Sequence, residues 1–130
     1  MALVKLRDLG AAQPELELAA AGFPKSAEIR YQLAEVYVNT QQLDSATKVA
    51  KEALLLKPAY YDADLLLGFV YVNQNNPQAA IPYLQEASST RPNSSRPHEY
   101  MAQAYEEMGI EGLAKQEQAV AEQLKQGAGR

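Results

Sequence analysis

A period of 34 residues constrains this chain more than any single residue does. Leu33, Ala34, Tyr37, Ala46, Ala50, Ala53 and Pro58 return 34 positions later as Leu67, Gly68, Tyr71, Ala80, Leu84, Ala87 and Pro92. A further 34 positions give Met101, Ala102, Tyr105, Ala114, Gln118, Ala121 and Gln126. All seven places agree in chemistry between the first two copies, and five still agree in the third. The first two copies run in the same order: large apolar, small, tyrosine, three small or apolar places, and a helix stop; the third keeps it except at Gln118 and Gln126. A unit this short cannot bury its apolar surface alone. It folds by stacking on its neighbours, which predicts a binding surface rather than a catalytic pocket.

Punctuation places the helices. Ser26 is a candidate N-cap for a helix over 26–39, with Ile29, Leu33, Val36 and Tyr37 at helical spacing. Gln41-Gln42 form a turn, and a return helix over 43–56 ends before Pro58, because the residue preceding a proline disfavours helix. The next pair is expected over 60–73 and 77–90, with a turn at Asn75-Asn76 and a stop at Pro92. Pro77 suits a first helical turn, whereas Pro82 lies deeper and should delay or bend its helix. The third pair opens near Pro97, turns at Gly109 and runs over 112–125. In the same register Ala12, Leu16 and Ala19 precede Pro24, so 12–21 reads as the second helix of an incomplete earlier unit, with 2–8 the last turns of its first helix. A longer parent protein, or a shortened first repeat, is expected.

The pattern resembles the tetratricopeptide repeat, a helix–turn–helix unit of this period with an L-G-x2-Y…A-x3-F…P signature. The resemblance implies an all-α, right-handed solenoid of stacked antiparallel helix pairs. It implies a single domain over 1–130, with a partial repeat at 1–25 and full repeats at 27–60, 61–94 and 95–128. Small residues at Ala34, Gly68, Ala102, Ala46, Ala80 and Ala114 would let paired helices approach closely. Each buried large side chain beside them is worth roughly 1.5–3 kcal/mol. Gly68 gives up about 1 kcal/mol of helix propensity against alanine, which signals a contact with no room for a methyl. Gln118 departs from the pattern, and with Gln116, Glu117 and Glu122 it marks a wetter final helix.

Composition excludes several classes. The 130 residues include 12 basic and 16 acidic groups, a net charge of -4 that argues against nucleic-acid binding. No run approaches the ~18 apolar residues of a membrane span. Met1-Ala-Leu-Val-Lys leads to no apolar run with a cleavage site, so no secretory signal is expected. The absence of cysteine removes disulfides and thiolate metal sites. His98 is the single histidine, and no phosphate loop, H-E-x-x-H or G-x-S-x-G occurs. Glu106, Glu107 and Glu111 read as a solvated helix end rather than a metal site. No enzyme activity, metal or cofactor is expected.

By the resemblance, the first helix of each repeat lines a concave groove that takes a peptide or helix of a protein partner. The groove residues would be Tyr31, Glu35, Val38 and Asn39, then Asp62, Leu65, Phe69, Val72 and Asn73, then Arg96, Glu99, Tyr100 and Gln103. Phe69 is the expected anchor, since Leu67, Val70 and Tyr71 already fill the core side of its helix. Alternatively, a neighbouring helix covers Leu65, Phe69 and Val72 within the monomer. The carboxylate-clamp places of chaperone-binding members hold Tyr31, Glu35, Leu66, Arg96 and Tyr100, of which only Arg96 is basic. That argues against recognition of heat-shock chaperone C-terminal tails and favours an apolar or basic segment. Two other readings stay open. One is a self-assembly scaffold completed through Leu3, Leu6, Leu9, Leu16 and Leu18 of the partial repeat. The other is a regulatory arm of a larger enzyme such as a peptidase or transferase.

Overall fold

The structure is a computed structural model that describes residues 9–128. Among these residues it consists of seven α-helices, without a strand. They are α1 (Leu9–Gly22), α2 (Ala27–Asn39), α3 (Leu43–Leu56), α4 (Tyr61–Asn73), α5 (Pro77–Thr90), α6 (Arg96–Glu107) and α7 (Glu111–Ala128). The helices fall into two compact units that meet in sequence at Pro58 and Ala59. The segment expected to end an earlier helix, 2–8, lies outside the described residues. Pro82 sits inside α5 without dividing it.

The turns inside the pairs share one physical device. Gln41, Asn75 and Gly109, spaced by 34, all have positive φ, at 63°, 60° and 77°. In each case the residue's N–H bonds the carbonyl three back, and the next N–H bonds the tyrosine carbonyl five back. Gln42 N donates to Tyr37 O at 2.7 Å, Asn76 N to Tyr71 O at 2.9 Å and Ile110 N to Tyr105 O at 2.9 Å. This double bond pattern satisfies the last carbonyls of the helix and turns the chain back. The repeated tyrosine therefore has a backbone role besides its side-chain one.

In the first unit α2 packs on both α1 and α3. Ser26 caps α2 as expected, its Oγ accepting from Ile29 N at 3.2 Å. Leu33, Ala34, Val36 and Tyr37 are buried on α2, and Ala46, Val49, Ala50 and Ala53 on α3. Two side-chain bonds tie α2 and its turn to α1. The Tyr37 hydroxyl donates to Glu17 Oε2, and Gln42 Nε2 donates to Gln13 Oε1 at 2.7 Å. Burial, then the hydrogen bond and charge of Glu17, push the Tyr37 phenol up to about 12.

In the second unit α4 packs on α5, α6 on α4 and α5, and α7 on α6. Its core joins Val72 of α4, Ala80 and Leu84 of α5, and Met101 and Ala104 of α6. Tyr71 stacks on Tyr83 across α4 and α5 with ring centres 5.8 Å apart. The reading of Gly68 is explained at atomic level: a Cβ there would overlap Cδ2 and Cγ of the buried Leu84.

Candidate functional site

In the first unit the expected groove residues share one face of α2. Tyr31 is half-buried and its hydroxyl donates to Glu35 Oε2 at 3.3 Å. Glu35 and Asn39 are exposed, with Val38 half-buried among them. The face is polar at its ends and offers little apolar area.

The second unit places more apolar surface in reach. Phe69 of α4 and Tyr100 of α6 meet with ring centres 5.8 Å apart and planes tilted by 52°. Phe69 keeps 37% of its surface exposed, so α6 touches this ring without covering it. Leu65, one turn earlier, is half-buried against the core, and Gln103 is exposed one turn after Tyr100. Val72 departs from its expected place. It is only 3% exposed and belongs to the core, because α5 and α6 both close on the C-terminal half of α4. Asn73 is exposed, but its Nδ2 already donates to Phe69 O at 2.8 Å, which uses part of the amide expected for a ligand backbone.

At the other end of this face, α4, the 91–95 loop with the first residue of α6, and α7 near its C-terminus surround a cavity of about 580 Å³. Asp62, Leu65 and Arg96, three of the expected residues, line it together with Arg91, Leu124 and Lys125. Glu99 stands beside it, paired with Lys125 Nζ at 3.0 Å and accepting from Ser95 Oγ at 3.1 Å. The Lys125 ammonium and the Ser95 hydroxyl hold the Glu99 carboxyl below its ordinary range. Among the described residues no group of three or more His, Cys, Asp or Glu side chains is arranged to hold a metal ion. No helix there is long and apolar enough to cross a membrane.

The tetratricopeptide repeat family profile matches residues 3–58 and 43–104, most of the chain. The chain belongs to the tetratricopeptide repeat family. Its fold is that of the MamA proteins. One MamA crystal structure superposes with a TM-score of 0.90 at 23% identity, over 93% of this chain and 71% of that one. MamA of AMB-1 gives 0.84 at 25% identity, over 91% and 70%. MamA from Desulfovibrio magneticus RS-1 gives 0.85 at 21% identity, over 89% and 66%. No curated protein sequence matches the chain.

Tetratricopeptide repeats carry tryptophan three residues before the leucine of the L-G pair. This member puts Arg30, Asp64 and His98 there, one per repeat and each polar. Arg30 Nε pairs with Glu52 Oε1 at 3.5 Å, while its Nη1 is buried without a partner. Asp64 is only 2% exposed and its Oδ2 has no hydrogen bond. Burial first, and the Glu86 charge second, push its carboxyl up to about 7. His98 joins three helices: Nε2 lies 3.1 Å from Ser88 Oγ of α5, and Nδ1 lies 2.6 Å from Glu117 Oε1 of α7. That order of hydroxyl, imidazole and carboxylate is the order of a nucleophilic triad. Ser88, however, lies inside α5, where the surrounding N–H groups serve the helix and none is left to form an oxyanion hole. The bridge is a structural tie between α5, α6 and α7. The sequence signal for all three residues was the repeat register itself, at a signature place where the family pattern fails in every copy.

Proposed function

We propose that this protein is a non-enzymatic interaction module that holds a helix or extended segment of a partner protein. In the second unit, the segment would lie along the α4 and α6 face. The carrying observation is the Phe69–Tyr100 pair, an aromatic contact left 37% open at Phe69 beside a cavity of about 580 Å³. Large aromatic side chains at the centre of a recognition surface supply most of the binding free energy. Leu65 extends the apolar strip, while Gln103 offers polar contacts at its edge. On α2, Tyr31, Glu35, Val38 and Asn39 form the corresponding face of the first unit.

The test is selection of binders from a random peptide library, followed by Phe69→Ala. Truncating a central aromatic anchor should cost about 2 kcal/mol or more of binding, roughly thirtyfold in affinity. Melting temperature should fall by only a few degrees, because the ring is not enclosed. Selected peptides that bind the variant as tightly as the parent would place recognition elsewhere. A large loss of stability with binding intact would assign Phe69 to the core.

Exposed apolar side chains on the first helix and just after it support a second reading, self-association. Leu18 and Phe23 are 76% and 64% exposed, while Leu16 of the same helix is half-buried. Leu3 and Leu6, named with them in the sequence, lie outside the described residues, as does the side chain of Leu9.

A further inference from the structure

We infer that the cavity at the start of α6 is a subsite for an acidic side chain of the bound segment. The inference rests on the reading of the α4 and α6 face as a docking surface, and it reverses the basic preference expected from the acidic composition. In a chain with 12 basic against 16 acidic groups, three cations converge on this one cavity: Arg91, Arg96 and Lys125. Lys125 is engaged by Glu99. Neither arginine forms an ion pair among the described residues, although the Glu99 carboxylate also feels the Arg96 charge at longer range, and Asp62 is the one carboxylate that lines the cavity.

The arginines are also arranged for use. The Arg91 guanidinium lies 4.3 Å over the Tyr61 ring, and the Tyr61 hydroxyl shares a 2.6 Å hydrogen bond with Ser94 Oγ. Stacking on a fixed ring orients the guanidinium and leaves its edge N–H groups for an acceptor. Ser95, at the N-cap of α6, spends its hydroxyl on Glu99, so no side chain caps the first-turn N–H groups. Pro97 has no N–H, so the free donors of this turn are those of Arg96 and His98, and they add their dipoles to the two arginine charges. Leu65 and Leu124 form an apolar part of the wall. Cations beside apolar carbon suit a carboxylate carried on a chain with apolar neighbours, which is an acidic peptide rather than a bare inorganic anion. Glu106 and Glu107 lie at the opposite end of α6, about 15 Å along the helix. The face is therefore charge-polar, and a segment would lie with its acidic residue at Arg96 and its basic residues toward Glu106.

Amide-resolved NMR titration of the full chain tests this with three probes: acetyl-Leu-Glu-Leu-amide, acetyl-Leu-Gln-Leu-amide and inorganic phosphate. The Glu peptide should move the amides of Asn93, Ser94, Ser95, Arg96 and His98 and bind roughly tenfold tighter than the Gln peptide. In the double variant Arg91→Gln/Arg96→Gln, both sites being exposed, that advantage should vanish while the spectrum stays folded. Raising salt to 0.5 M should shrink it, since exposed charges are screened. Equal affinity of the two peptides, or response to phosphate with none to the Glu peptide, would overturn the subsite. If both peptides still move the amides around Phe69 and Tyr100, the docking face survives that failure. If neither peptide moves any amide of α4 or α6, both readings fall.

Discussion

Asp64 is the residue whose chemistry is least at home in this fold. It lies 2% exposed with an unbonded oxygen, and Glu86 of α5 is the charge acting on it. A carboxyl raised from 3.8 to about 7 holds its proton in the folded state and releases it in the unfolded one near neutrality. The folded state then binds more protons, so stability falls as pH rises between the two values. The effect is complete above about 7 and absent below the unfolded value. Asp64→Asn keeps the shape and removes the titration. We expect the parent's melting temperature to drop by several degrees from pH 5 to pH 8, and that drop to be much smaller in the variant. At pH 8 Asp64→Asn should be the more stable protein. Parallel pH profiles would mean that the Asp64 carboxyl ionises freely in the folded state.

At the scale of helices and turns, Gly68 sets two opposed effects against each other. Alanine would gain about 1 kcal/mol of helix propensity. It would also drive a methyl into the fully buried Leu84, and overpacking of a closed core costs about 1–3 kcal/mol. Gly68→Ala should therefore lose about 1 kcal/mol net in denaturant unfolding, and a gain would show that Leu84 has room to turn. Helix positions were legible in the sequence because their signals are local. Ser26, Pro58, Pro77 and Pro92 act through bonds and clashes within a few residues, and the predicted ends of α2 to α5 agree with the observed ones within a residue. Faces were less legible. Val72 sits in the same helical stripe as Leu65 and Phe69, yet only the approach of α5 and α6 decides that it is core and Phe69 is not. Arg91 and Lys125 escaped notice for the same reason: 34 residues apart in sequence, they meet only because α7 runs back beside α6. The turns lay between these extremes. Gly109 announces a positive φ, but Gln41 does so only through its register with Asn75 and Gly109.

At the scale of the whole molecule, each helix pair in a stack of repeats relies on a neighbour for part of its burial. On α7 a polar contact stands where earlier copies are apolar: Gln118 Nε2 donates to Glu106 Oε1 at 3.1 Å where those copies have Ala50 and Leu84. Leu18 of the first helix and Phe23, just after its end, present apolar surface. Exposed apolar patches mark interaction sites. Fully burying two such side chains contributes roughly 3–6 kcal/mol. Association of two chains costs an estimated 4–15 kcal/mol in lost freedom. Those magnitudes allow a weak, concentration-dependent dimer and not a permanent one. Light scattering and sedimentation over a wide concentration range should therefore show partial self-association of the parent. The double variant Leu18→Lys/Phe23→Lys should remain monomeric over the same range with unchanged helical circular dichroism, because both side chains are already in water. A parent that stays monomeric at the highest concentrations excludes the self-association reading, and a variant that associates like the parent moves the contact to another surface.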